Sequence, residues 1–340
     1  MKKLDRHIDQ ITGKTVLVRA NYDVPIEGEQ VQDTTRIEDS LNTLKLLLGH
    51  QNRVVILAHY DRPEGVFDQQ KSLKPIVPVL EKLLAEPVGF VAYQPDYHQL
   101  TPPPTPRVVL VDNLRFWSEE ETNGADFAAH LKTFGDIYVN EAFANCHREH
   151  ASVMALAKLM DSYAGLSLAR ELDVLTKIRD NPDKPLVVVL GGAKLETKEP
   201  LVTVFAPKAD HILVGGKIAV DLAGRTNLPA NVTLAELTSD QKDITEAAAR
   251  RFAAIINSAK TVVWNGSMGI FEEADHQLGT KIVAEAVNST PAFTLVGGGD
   301  TETALTELNL ESGIDHISSG GGAMLEFLSL GNLPALEPLS

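Results

Sequence analysis

The second half of the chain carries five short apolar runs, each closed by glycine at its C-terminal end. Leu186-Val-Val-Val-Leu190 runs into Gly191-Gly192-Ala193-Lys194, and Ile212-Leu-Val214 into Gly215-Gly216. Val262-Val-Trp264 runs into Asn265-Gly266-Ser267-Met268-Gly269, and His316-Ile-Ser-Ser319 into Gly320-Gly321-Gly322. The fifth, Phe293-Thr-Leu-Val296, meets Gly297-Gly298-Gly299-Asp300-Thr301 and then Glu302-Thr-Ala-Leu305, which reads as the first turn of a helix. Short apolar runs rich in β-branched residues suit buried strands. A strand that ends in glycines and enters a helix leaves free N–H groups and a helix dipole, both of which favour an anion. One such turn can exist only to pack a helix closely. Five along one edge of an open parallel sheet form the edge where ligands bind.

The first half alternates strand-like segments (15–19, 53–57, 88–92, 108–111, 137–139) with helix-like ones (36–48, 72–85, 126–134). Such alternation implies an α/β fold with parallel sheets covered on both faces. Asp33 and Thr34 suit caps of the first helix. Pro75 and Pro78 suggest an early kink in the second. Helices at 151–161 and 166–179 flank Tyr163-Ala164-Gly165, and Asn181-Pro-Asp-Lys-Pro185 then breaks the chain. A length of 340 residues exceeds one typical core. Two domains are expected, 1–163 and 182–327, joined by a connecting helix at 164–181. The tail, 328–340, is expected to pack back on the first domain, with its proline-marked end, 333–340, extended. A polar, alanine-rich helix at 239–258 leads into the strand at 262.

Net charge is −15, which argues against non-specific nucleic-acid binding. No run approaches the ~20 apolar residues that span a bilayer. The basic N-terminal residues have no apolar segment behind them, so no signal peptide is expected. The single cysteine, Cys146, excludes an internal disulfide and fits a reducing cytoplasm. It is either a nucleophile or a small loop residue.

An acidic protein that handles anions must gather its cations locally. Arg36 follows Asp33-Thr34-Thr35, and Arg62 lies in Ala58-His59-Tyr60-Asp61-Arg62-Pro63. Arg115 and Arg148 follow the strands at 108–111 and 137–139. Three of the four thus come just after strand ends, where α/β sheets bind ligands. Arginine forks grip carboxylate and phosphate oxygens in pairs, and His59 and His147 can add donors. Each arginine alone could be a surface ion-pair partner; their shared placement favours an anion site. Asn21 and Asp23 follow the first strand and either accept from a substrate hydroxyl or shape the turn. The first half therefore suits a small anion. The second, with backbone N–H groups, lysines and an aspartate, suits a nucleotide polyphosphate with Mg²⁺.

Over nearly its full length the chain resembles the phosphoglycerate kinase family. The motifs are Val-Leu-Val-Arg-Ala-Asn-Tyr-Asp-Val-Pro25, Asp-Thr-Thr-Arg36, His59-Tyr-Asp-Arg62-Pro, Asn-Leu-Arg115-Phe and Asn-Glu-Ala-Phe-Ala-Asn-Cys-His-Arg148-Glu-His. The second half adds Gly-Gly-Ala-Lys194-Leu-Glu-Thr-Lys198, Trp264-Asn265-Gly-Ser-Met-Gly-Ile-Phe-Glu272, Val-Gly-Gly-Gly-Asp300-Thr301 and Ser-Gly-Gly-Gly-Ala323. The resemblance implies two Rossmann-like domains facing a cleft, and reversible phosphoryl transfer between 1,3-bisphosphoglycerate and ADP, giving 3-phosphoglycerate and MgATP. It implies that Asn21, Asp23, Arg36, His59, Arg62, Arg115 and Arg148 hold the glycerate substrate. Lys194 would stabilise the phosphoryl group, with Arg36, Gly298 and Gly321 also at the reacting centre. Lys198, Asn265, Gly298, Gly299, Asp300 and Thr301 would hold the nucleotide, with Asp300 towards Mg²⁺. Gly191, Gly192, Gly215 and Gly216 would border the adenine, and Glu272 would take the ribose. A cytoplasmic monomer is implied, with no nucleic-acid or membrane partner.

Departures from the family pattern are specific. The family reads Asp-Phe-Asn where this chain has Asn21-Tyr22-Asp23, and Tyr60-Asp61 replaces Leu-Gly. Thr197 stands in place of aspartate, Ser267 in place of proline, and Lys217 in place of a small or apolar residue. The segment from Gly216 to Lys260 is short, with Leu228-Pro229 as the remnant of a hairpin-like insert beside the adenine. Weaker or less base-selective nucleotide binding is therefore expected. A second reading is a degenerate paralogue that binds without turnover, but Arg36, Lys194, Lys198, Glu272 and Asp300 are all present. A nicotinamide dehydrogenase is excluded, because no Gly-x-Gly-x-x-Gly opens a helix with an acidic residue at the required distance.

Overall fold

The computed structural model describes the whole chain, Met1–Ser340. It divides into two compact units: unit 1 comprises Met1–Leu172 with Asn332–Ser340, and unit 2 comprises Asp173–Gly331. The fourteen strands are β1 (Thr15–Arg19), β2 (Ile26–Glu27), β3 (Gln30–Val31), β4 (Arg53–Leu57), β5 (Val88–Val91), β6 (Val108–Val111), β7 (Ile137–Asn140), β8 (Asp161–Ala164), β9 (Leu186–Leu190), β10 (His211–Val214), β11 (Val232–Leu234), β12 (Thr261–Asn265), β13 (Phe293–Val296) and β14 (His316–Ile317).

Unit 1 holds a six-stranded sheet in the order β5-β6-β4-β1-β7-β8, parallel throughout, and β2-β3 form a separate hairpin. Unit 2 repeats the plan with β11-β10-β9-β12-β13-β14, again all parallel. All five glycine-closed runs thus lie in one sheet with their C-terminal ends on one edge. The central strands β9 and β12 are buried at every residue, which is why they read as unbroken apolar runs. In unit 1 the chain leaves β1 to one side and returns on the other at β7. In unit 2 the same reversal falls between β9 and β12. Crevices at such reversals are where open α/β sheets take ligands. No helix is long and apolar enough to cross a membrane.

Several local expectations are corrected. The helix expected at 36–48 is two, Thr35–Glu38 and Leu41–Gly49, because Ser40 turns its hydroxyl back onto the Ile37 carbonyl. The helix at 72–85 begins only at Val77 and ends at Leu84, with Pro78 in its first turn, where a missing N–H costs nothing and makes no kink. Pro75 belongs to a preceding 3₁₀ turn, Lys74–Ile76. The expected helix at 151–161 shrinks to Ala155–Lys158, and Asp161–Ala164 is the edge strand β8. The helix at 239–258 is Glu246–Ile256, capped by the Thr245 hydroxyl; upstream, Thr238 and Asp240 make a turn instead. The tail is not extended: Pro334–Leu339 is a 3₁₀ helix within unit 1, and Lys2 N donates to Leu339 O at 2.6 Å.

The helix Leu166–Asp180 has its residues through Leu172 in unit 1 and the rest in unit 2. Its N-terminal amides are satisfied by the buried Glu141, which accepts from Leu168 N at 3.0 Å and Ser167 N at 3.3 Å and takes the Thr43 hydroxyl. Burial pushes this carboxyl up to about 7. Gly165 has no room for a side chain, because a Cβ there would strike the Glu141 carboxyl.

Candidate active site

In unit 2 a pocket of about 600 Å³ opens at the C-terminal edge of the sheet. Three helices begin on it: Leu195–Phe205 after Lys194, Gly299–Leu308 after Gly298, and Gly321–Leu330 after Gly320. The first-turn amides of each lack intrahelical acceptors, so their dipoles converge on one space. Gly298, at φ +111°, makes the turn into the second helix, and a Cβ on Gly321 would lie 2.6 Å from the Gly298 Cα. Bare glycines therefore let two helix starts share one wall. Asn265 Nδ2 donates to Gly297 O at 2.5 Å, while its Oδ1 is shielded from water without a donor. The buried Thr301 hydroxyl accepts from Gly266 N at 2.7 Å and fixes the loop after β12.

The pocket's cations are Lys194, exposed, and Lys198, half-buried. Burial lowers the Lys198 ammonium, while the Asp300 carboxylate supports its charge and Lys194 opposes it. Three carboxylates also line it, Glu196, Asp300 and Glu326; two ammonium groups and the amides of three helix starts suit a polyanion, and Asp300, beside Lys198, suits its metal. No group of three or more His, Cys, Asp or Glu side chains able to hold a metal is present. Mg²⁺ commonly takes one or two carboxylates and completes its shell with phosphate and water; Asp300 on this wall fits that donor set.

The pocket gathers Gly192, Lys194, Lys198, Asn265, Gly298, Gly299, Asp300, Thr301 and Gly321. Gly191, Gly215, Gly216 and Glu272 are not in its lining. Gly191 is pressed against the carbonyls of Ser267 and Gly266, and Gly216, at φ +61°, leaves only 2.9 Å between an added Cβ and Gly192 N or O. Main chain rests on main chain under the pocket. Glu272 is exposed in the loop after β12.

Unit 1 collects the second set. Arg115 is buried; it donates from Nη1 to Asp61 O at 2.7 Å, and its Nε is 3.3 Å from Glu121. Burial, reinforced by Arg19, brings its guanidinium down to about 10. Burial first, then the Arg19, Arg115 and Arg148 cations, hold His59 well below its ordinary value; burial, then Arg115, Arg19 and Arg148, hold His150 at about 3. Asp23 accepts Asp61 N on Oδ1 at 2.9 Å, and its carbonyl accepts Arg36 Nη1 at 2.5 Å. Asn21 is buried at the end of β1, and Arg62 is exposed.

Arg19, the last residue of β1, is completely buried; its Nε donates to Ser152 Oγ at 2.7 Å and its Nη2 lies 3.2 Å from His59 Nδ1. A guanidinium only donates, so Nδ1 of His59 accepts and the ring's proton sits on Nε2. Ser152 passes the contact to Glu120, Oγ to Oε1 at 2.6 Å. Cys146 is buried and its thiol is pushed up to about 12, which removes the nucleophile reading.

The family model for phosphoglycerate kinase matches residues 6–241 and 225–330. The chain is 37% identical to the phosphoglycerate kinase of Thermomicrobium roseum over 97% of both chains, and 35% identical to that of Thermus thermophilus over 96% of this chain and 97% of that one. Among solved structures, that of phosphoglycerate kinase from Coxiella burnetii superposes with a TM-score of 0.84 at 30% identity, covering 97% of this chain and 96% of that one. The chain belongs to the phosphoglycerate kinase family. It is accordingly an enzyme, a kinase acting on phosphoglycerate, and the paralogue reading finds no support. Phosphoglycerate kinase chemistry also makes sense of a divided inventory, with arginines in one unit and helix starts with lysines in the other. Part of the pocket's wall, Leu325, Glu326, Ser329 and Leu330, comes from the helix Gly321–Leu330 and lies outside every sequence motif.

Proposed function

We propose that the chain transfers a phosphoryl group reversibly between 1,3-bisphosphoglycerate and ADP, and that the residues above divide the work as follows. The reading rests on the pocket of unit 2, where three helix starts, two lysines and the Asp300 carboxylate share one lining. That pocket takes the nucleotide: the amides of Gly299 and Gly321 receive phosphate oxygens, Gly298, whose own N–H donates to Glu302 Oε1 at 3.3 Å, shapes the turn beside them, Lys198 neutralises the phosphates, and Lys194 follows the phosphoryl group in flight. Asp300 holds Mg²⁺, which when bound offsets phosphate charge. In unit 1, Arg36, Arg62, Arg115 and Arg148 grip the acid, His59 offers its Nε2–H, and Asn21 and Asp23 orient it. Little covalent work falls to the protein in such a transfer; positioning and fixed charge dominate. The attacking ADP oxygen is already anionic, so no general base is needed. The two substrates are held by different units, and turnover requires those units to close, with 164–181 as the connecting segment. A cytoplasmic monomer is part of this reading, as the family resemblance implies.

The test is a coupled assay with 3-phosphoglycerate, MgATP and an enzyme that consumes 1,3-bisphosphoglycerate. Turnover that needs both substrates and Mg²⁺ is expected; binding of both without turnover would overturn the reading.

A further inference from the structure

Asp61 occupies an unusual place in unit 1. Its backbone lies in the left-handed region, φ +53°, where a side chain is normally avoided. Its N–H is held by Asp23 and its carbonyl by Arg115. The carboxylate therefore belongs to the same residue that one of the anion-binding arginines grips. A free carboxylate here would compete for guanidinium groups and repel an anionic substrate. It is not free. Lys71 Nζ lies 3.0 Å from Asp61 Oδ2 and also donates to Arg62 O at 3.2 Å. Lys71 sits in a 3₁₀ turn, Gln69–Lys71, outside every motif that marked the site.

We infer that Lys71 is a positioning residue for substrate binding: it draws the Asp61 carboxylate away from the arginines and keeps their charge available to the acid. Both ends of the pair act on one short segment, since Lys71 grips the Arg62 carbonyl as well as the Asp61 side chain. Asp61 is held ionised below the usual carboxylate range, first by its hydrogen bond to Lys71 and in part by Arg115, so the carboxylate feels both cations. The pair is half in solvent, with side chains 27% and 52% exposed, so salt should weaken it.

The inference rests on the proposal that these arginines hold the acid, and the experiment separates the two. Lys71→Met should raise KM for 3-phosphoglycerate about three- to fivefold, the range of an exposed ion pair, and leave kcat and the KM for ATP unchanged. Adding Asp61→Gly to it should bring KM back to within about twofold of the parent, because glycine accepts the left-handed backbone and removes the competing charge. A merely structural lysine would show no such rescue. An unchanged KM in Lys71→Met, or a double variant as impaired as the single, overturns the inference. Arg115→Met is the control: if it too leaves KM unchanged, the assignment of the acid to these arginines fails instead.

Discussion

The buried triad Arg19–Ser152–Glu120 makes a stability prediction that can be worked through. All three side chains are shut away from water. Arg19 reaches Ser152 Oγ at 2.7 Å, and Ser152 gives Glu120 both its hydroxyl, at 2.6 Å, and its N–H, at 2.9 Å. The guanidinium and carboxylate are 3.9 Å apart, so they communicate largely through the serine. Glu120→Ala would strand a buried guanidinium with no counter-charge. Removing one partner from such a pair costs about 3–5 kcal/mol. Against a total of roughly 5–15 kcal/mol the variant should fold at 25 °C, with its melting temperature lower by on the order of 10 °C. The two tryptophans allow a local readout: Trp117 lies in unit 1 and Trp264 in unit 2. Urea melts followed by Trp117 in a Trp264→Phe background should show the loss. Arg19→Met combined with Glu120→Met should recover most of it, since well-packed apolar replacements of a buried pair are often neutral or better. A cost below about 1 kcal/mol, or a double variant no more stable than Glu120→Ala, would refute the reasoning.

Other outcomes are equally concrete. Lys194→Ala should lower kcat by at least about 10²-fold, the scale for losing a transition-state charge donor, with an unaltered circular dichroism spectrum; full activity would remove Lys194 from its role. Gly191→Ala should destabilise by about 1–3 kcal/mol or more in thermal melts, because the new methyl meets the Ser267 and Gly266 carbonyls; an unchanged melt would contradict the packing. His276 lies 2.8 Å from Asp240 and 2.9 Å from Glu273; the hydrogen bond to Asp240 raises its imidazole, and the Asp240 carboxyl is depressed first by the Thr238 hydroxyl and then by His276. The imidazole's contribution is complete below its ordinary value and fades as pH rises through the raised one. The carboxyl's contribution fades on acidification through its depressed one. Hydrogen exchange at residues 238–243 should therefore quicken, beyond its intrinsic pH trend, at both ends of that window, and His276→Gln should abolish the alkaline limb. For the nucleotide, titration calorimetry should find ADP and GDP within about tenfold, or 1.4 kcal/mol; strong adenine preference would show the short segment 216–260 to be immaterial.

The fold class could be read from sequence because the central strands are buried on both faces, which writes unbroken apolar runs such as Val187–Val189 into the chain. The edge strand β8 could not, since Asp161-Ser-Tyr-Ala has no such run and draws its order from partners elsewhere, as Ser162 does from the Ala157 carbonyl. Helix boundaries slipped where short polar side chains turned back on the backbone, at Ser40 and at Thr238. The lysines and glycines of unit 2 were legible because glycine turns are local chemistry. Arg19 was not: it looked like one more residue of a strand, and its meaning comes from Ser152 and Glu120, more than a hundred residues away. The glycines at 191, 215 and 216 carried two readings, ligand border or close packing, and their contacts are with neighbouring residues of unit 2: carbonyls at 191, Met268 at 215 and the Gly192 backbone at 216.

That stacking of bare peptide units has an evolutionary corollary. A cradle made of amides is indifferent to which side chains surround it, so neighbours such as Ser267 and Lys217 are at liberty to drift from their relatives' residues. The glycines themselves have no such freedom. Replacing Gly191, Gly216 or Gly266 one at a time drives a methyl into another loop's backbone, and no single compensating substitution can take the peptide away.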